Sequence, residues 1–118
     1  MPICYITVSD KIQTLEQEEL NKIKVIISEE LISYARFLDS THIVLRIQQG
    51  NIKNMLGEIE LDIFANFDFQ RYWSRDKRSR NISYNISKLL NYNCATWINL
   101  NLMGYARVTT KGKEYFSD

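Results

Sequence analysis

Pro2 stands directly behind Met1 and opens into the β-branched and aromatic run of residues 3–8, ICYITV. A small residue at position 2 favours removal of the initiator methionine. The product is a secondary amine held at a strand end, with its lone pair aimed by the pyrrolidine ring. An unperturbed α-amino group titrates near 7.7–8.0. Burial in apolar surroundings, or a nearby cation, lowers that value because the ammonium form loses solvation or is repelled. A base poised near neutrality suits removal of a proton next to a carbonyl. With Met1 in place the same nitrogen is an amide and has no basic lone pair.

Four other groups carry side chains capable of chemistry. Glu60 and Asp62 lie two residues apart. On one strand face they form an acid–base pair, or a solvated pair that meets Arg46 across a sheet. Arg71, Arg75, Lys77, Arg78 and Arg80 surround Tyr72 and Trp73. This segment reads first as a solvated or subunit-contacting surface, then as a carboxylate clamp, and last as a phosphate-binding patch. The only histidine, His42, cannot build a cluster and reads as structural or surface. Cys4, beside the proline, reads as a small core residue, since a nucleophile needs an adjacent base.

The elements that must position these groups follow from periodicity. Residues 3–8 form a strand, broken by Ser9 and Asp10. From residue 15 to about 37 there is no Gly or Pro, and Leu20, Ile23, Ile27, Leu31 and Tyr34 step by three and four, which predicts a helix. Thr14 and Gln17 have capping-box spacing. Residues 42–48 and 58–67 alternate with period two, as strands do. A loop between them starts at Gly50, and Ile52, Met55 and Leu56 allow it a helical turn. After the polar and basic stretch 68–80, Ile82, Ile86, Leu89 and Leu90 mark a second helix that ends at residues 91–93. Residues 96–102 alternate again. A tail punctuated by Gly104 and Gly112 ends in Tyr115 and Phe116.

The order is β-α-β twice. The expected fold is α+β: a two-layer sandwich of two β-α-β units, one four-stranded sheet with both helices on one face. The expected organisation is a single domain of residues 1–118, with halves at about 1–50 and 57–104 and a tail at 105–118. The opposite sheet face is expected to carry Arg46, Gln48, Glu60, Asp62, Asn99 and Asn101. Such a face suits solvent, or a wet channel inside an oligomer.

Composition agrees with this reading. A chain of 118 residues buries roughly 65% of its unfolded surface and needs no staple. Hydrophobic residues make 45% and charged residues 25%, which excludes disorder. A net charge of +1 gives no global field for nucleic acid or an acidic partner. The strand order also describes ferredoxin-like RNA-binding domains, but the aromatic positions Tyr5, Phe64, Phe67 and Trp97 match no stacking signature. Nucleic acid is not expected as a partner. Cys4 and Cys94 make neither a metal site nor a disulfide framework, and no cofactor is expected. No apolar run reaches the roughly 18 residues of a membrane span, and the N-terminus lacks the basic region and long apolar stretch expected of a signal peptide. The expected location is the cytoplasm.

The Met-Pro start, the doubled β-α-β order and two stretches together resemble the tautomerase superfamily. The stretches are MPICYITVS and WINLNLMGYARVTTKGKEYF, residues 97–116, with Ile98, Asn99, Met103, Val108 and Phe116 shared. Lys88, Leu89 and Leu90 look similar as well. Within the superfamily the chain is most similar to the long-subunit branch around macrophage migration inhibitory factor, a phenylpyruvate-type keto–enol tautomerase. The resemblance implies a homotrimer and a small 2-keto acid substrate with Pro2 as the general base. Trp97 falls where the family has a tyrosine reaching the pocket from a neighbouring subunit, and keeps an indole N–H as donor. Asn99 matches a pocket asparagine and Val108 an apolar pocket wall. The family's pocket lysine falls at Leu38, so Arg36 or Arg46 is the expected cation for the substrate carboxylate. The family's glycine-rich segment after the third strand is replaced here by the bulky residues 67–73. These two departures suit an inactive binding or structural protein on the same scaffold, which is the alternative reading.

Overall fold

The computed structural model describes residues 2–12, 14–34, 37–101, 106–108, 110–112 and 114–116, with backbone alone for Arg107 and residues 114–116. Strand β1 runs Ile3–Ser9, helix α1 Gln17–Leu31, strand β2 Val44–Gly50 and strand β3 Ile59–Ala65. Helices α2, Phe69–Trp73, and α3, Arg75–Leu90, lead to strand β4, Cys94–Leu100. The sheet order is β2-β1-β3-β4. β1 pairs parallel with β2 and β3 parallel with β4, while β1 and β3 meet antiparallel. Each β-α-β unit therefore keeps its own strands adjacent. A ferredoxin-like sheet splits each unit by interleaving their strands, so that arrangement is not adopted.

Alternation decides the faces. Cys4, Ile6 and Val8 of β1 and Ile59, Leu61, Ile63 and Ala65 of β3 are buried. They form one core with Ile23, Ile27 and Leu31 of α1 and Ile82, Ile86 and Leu90 of α3. Both long helices thus cover the same face, as the doubled unit predicts. The spacing of those helical residues is the three-and-four step that puts them on one stripe. Helix α3 stops at Asn91, which takes a left-handed φ of 59° and donates its N–H to the Ser87 carbonyl.

The boundaries differ from expectation in four places. Helix α1 starts at Gln17, and the amide of Glu16 donates to the Glu19 carboxylate at 2.9 Å. The Thr14–Gln17 box is not the one used. Helix α1 also ends at Leu31, six residues short, because Ile32 turns extended at φ −60°, ψ 137°. Tyr34, on the predicted stripe, is fully exposed. The cause is remote in sequence: Arg71 Nε donates to the Leu31 carbonyl at 2.8 Å, and Arg78 donates to the carbonyls of Glu30 and Ile32. These donors satisfy the carbonyls that a helix end leaves open. Finally, the polar stretch 68–80 is itself helical, as α2 and the first turns of α3. The tail, expected only as aromatic packing, forms a hairpin of β5, Ala106–Val108, and β6, Glu114–Phe116.

Asp68 fixes the junction between sheet and helices. Its carboxylate accepts the Arg71 N–H at 3.1 Å, capping α2, and the Ser33 hydroxyl at 2.7 Å. Burial alone would raise its pKa. The Ser33 hydroxyl, the Arg71 amide and the Arg71 charge outweigh burial, so the carboxyl sits below the usual range. A depressed carboxylate contributes stability above its unfolded pKa of about 3.9, and that contribution is lost as pH falls through the lower folded value. Asp68→Ala is expected to cost about 1–2 kcal/mol at neutral pH, the magnitude of a lost cap. Thermal melts should show its gap to wild type narrowing as the medium is acidified below about pH 4.

Candidate functional site

The sheet face away from the helices is a small grid set by strand register. One row holds Val44, Ile3, Phe64 and Asn99. The next holds Arg46, Tyr5, Asp62 and Trp97, and the third Gln48, Thr7, Glu60 and Ala95. Arg46, Gln48, Glu60, Asp62 and Asn99 thus share one face, as alternation predicts. Tyr5 packs edge-to-face on Phe64 with ring centroids 5.8 Å apart. Gln48 donates to the Thr7 hydroxyl at 2.8 Å, and Asn99 to the Ile63 carbonyl at 3.3 Å.

The carboxylates on this face do not form the expected pair with Arg46. Tyr5 stands between Arg46 and Asp62 in their row, a separation of about two strand spacings, roughly 10 Å. Glu60 instead accepts the Leu56 N–H at 2.9 Å and holds the turn into β3.

Pro2 is buried at the head of β1. Its carbonyl accepts the Val44 N–H at 3.0 Å, so the β1–β2 ladder begins at the proline itself. Proline has no N–H to contribute, and this first strand position asks for none. By alternation Pro2 points to the helix side, with Cys4 and Ile6. Trp97, 41% exposed, and Asn99 lie on the open face of β4. Arg46 lies on the open face of β2, about three strand spacings or roughly 14 Å from Trp97. Val108 is exposed on β5, in the separate two-stranded sheet. Arg36 lies outside the described residues. A single chain therefore spreads these side chains over four elements, β1, β2, β4 and β5, instead of gathering them. Cavities of about 500 Å³ between the helices and about 210 Å³ beside β2 are lined by none of them.

The neighbouring reactive groups have structural roles. Burial, then Asp62 and Cys94, push the Cys4 thiol far above its ordinary value. Burial pushes Cys94 up to about 11. Both are free thiols in the protonated form, without nucleophilic character. His42 accepts the Asp39 amide on Nδ1 at 3.0 Å and holds the turn before β2. Leu38, at the position of the expected pocket lysine, packs against the core.

The basic segment corrects the surface reading. Arg71 is 1% exposed and donates to the carbonyls of Leu31 and Asn66. Arg78 holds Glu30, Ile32 and the Ser74 hydroxyl. Arg75 lies over the Tyr72 ring, 4.2 Å from its centroid. Two of the five cations are therefore helix caps. Local sequence offers one signal for this, the Asp68 cap ahead of an aromatic run, and nothing that names the α1 carbonyls as acceptors.

Among solved structures, the crystal structure of a macrophage migration inhibitory factor-like protein from Entamoeba histolytica is similar to 86% of this chain and 88% of its own length. The TM-score is 0.54 and the sequence identity 14%. The chain has the fold of macrophage migration inhibitory factor. The expectation raised by MPICYITVS and the stretch 97–116 holds at the level of architecture. No family model matches the chain, and no curated protein is detectably similar to it in sequence. On this macrophage migration inhibitory factor fold, no helix among the described residues is long and apolar enough to cross a membrane.

Proposed function

We propose that the protein is a keto–enol tautomerase for a small 2-keto acid, with Pro2 as the general base once Met1 is removed. The observation that carries the reading is the burial of Pro2 at the first rung of the β1–β2 ladder. There the ring is fixed, and burial of an ammonium group disfavours its charged form. Pro2 takes the proton alpha to the carbonyl, and the electron pair moves into the enolate. The same proton returns to a different atom, so the step is an isomerisation with no net change in composition. Arg46 or Arg36 holds the carboxylate by a charge-assisted pair. The Trp97 indole and the Asn99 amide polarise the carbonyl, and Val108 walls the pocket.

These groups lie apart within one chain, which supports a site shared between neighbouring copies in a homotrimer. The open polar face and the unpaired outer edges of β2 and β4 support the same assembly. Two free thiols support a reducing compartment, the cytoplasm.

A second reading is a binding protein on the same scaffold without catalysis. Leu38, apolar and packed against the core where the family has a cation, favours it. Intact mass of the untagged native chain separates the two. The tautomerase reading expects a mass lacking methionine, leaving Pro2 as the first residue. A chain that keeps Met1 has an amide at Pro2 and leaves the second reading standing.

A further inference from the structure

Outside that site, a groove of about 500 Å³ lies between the end of α1 and the start of α3. Its volume lies in the range of small-molecule sites. We propose that this groove binds a small zwitterion, a free α-amino acid with an aromatic or large apolar side chain.

The apolar part is Trp73, 77% exposed, together with Ile32. The indole is not loose: it packs on the Phe69 ring at 5.5 Å between centroids. The charged part is divided between two helices. Glu29 comes from α1 and Lys77 from α3; both are exposed, and neither has an ion-pair partner among the described residues. The other two ionised side chains of the groove are already engaged. Glu30 accepts from Asn81 at 3.1 Å, and Arg78 donates to main-chain carbonyls and to Ser74. Those bonds tie α1 to α3, so the two walls are fixed relative to each other before any ligand arrives.

The four ionised side chains sum to zero charge. A ligand of one sign gains one wall and is repelled by the other. An α-amino acid matches both, with its ammonium at Glu29 and its carboxylate at Lys77. Its side chain then lies on Trp73 and Ile32, where apolar burial and ring packing supply affinity.

The test is an amide and indole NMR titration of the full chain with L-phenylalanine, with phenylacetate and phenethylamine as single-charge controls. Saturable shifts are expected at the Trp73 indole N–H and on the first turns of α3, with the amino acid binding about tenfold or more tighter than either control. Lys77→Ala and Glu29→Gln are each expected to weaken binding about tenfold while leaving the remaining amide spectrum in place. Both residues are exposed, so folding is preserved. Three results would overturn the proposal: no saturable shift at millimolar amino acid, equal binding of the controls, or unchanged affinity in both variants. None of the residues altered belongs to the Pro2 site, so the outcome is independent of tautomerase activity.

Discussion

Arg71→Ala is expected to lower unfolding stability by about 3–5 kcal/mol. The buried guanidinium donates to the carbonyls of Leu31 and Asn66 at 2.8 and 3.1 Å. Each buried carbonyl stripped of its donor costs about 1–3 kcal/mol, and the vacated volume adds to that. Asp68 also loses the cation beside it. Domains of this size hold about 5–15 kcal/mol in total, so the variant should fold but with a much lower urea midpoint. Arg71→Lys should recover only part of the loss, because one ammonium does not span two carbonyls as the planar fork does. A change under about 1 kcal/mol in the alanine variant would contradict the capping role assigned to Arg71.

Pro2→Gly is expected to reduce kcat/KM for ketonisation of enol-phenylpyruvate by about 10²–10⁴-fold, the usual contribution of a positioned general base. The fold should survive. The Pro2 carbonyl bond to Val44 uses backbone alone, and the added chain entropy costs only about 0.4–1 kcal/mol. A primary amine remains at the terminus, but without the ring its lone pair is no longer aimed. Equal rates in wild type and variant would reject Pro2 as the base.

The sheet was legible because its signal is local. Ile59, Leu61, Ile63 and Ala65 alternate without a break, and all four are buried. Register then follows from connectivity, and with it the row of Arg46, Tyr5, Asp62 and Trp97. The end of α1 was not legible. Its apolar period continues to Tyr34, while the carbonyls that end it are taken by Arg71 and Arg78, some forty residues on. The same pair explains why a run of five cations is not simply a surface. The hairpin in the tail was hidden for a different reason: its strands are three residues long, too short for period two to register.

The candidate site was legible only in part. Composition and spacing pick out Pro2 because it is the only proline in the chain and stands at a strand head. The positions of Trp97, Asn99 and Arg46 on one open face follow from alternation. Alternation cannot say how far apart they lie; register puts roughly 14 Å of sheet between Arg46 and Trp97. The groove beside Trp73 left no trace in periodicity, since its walls come from α1, α2 and α3, with α1 joined to the others only by tertiary bonds.

The central claim is that a free Pro2 nitrogen does chemistry on this fold. It is tested most directly by comparing two homogeneous preparations in one enol-phenylpyruvate ketonisation assay. One chain begins at Pro2, and the other carries a single extra alanine ahead of it, which turns the nitrogen into an amide and leaves the strand intact. Turnover by the first chain with only background rate in the second is the predicted result. Equal rates, or no turnover by either, would contradict the account.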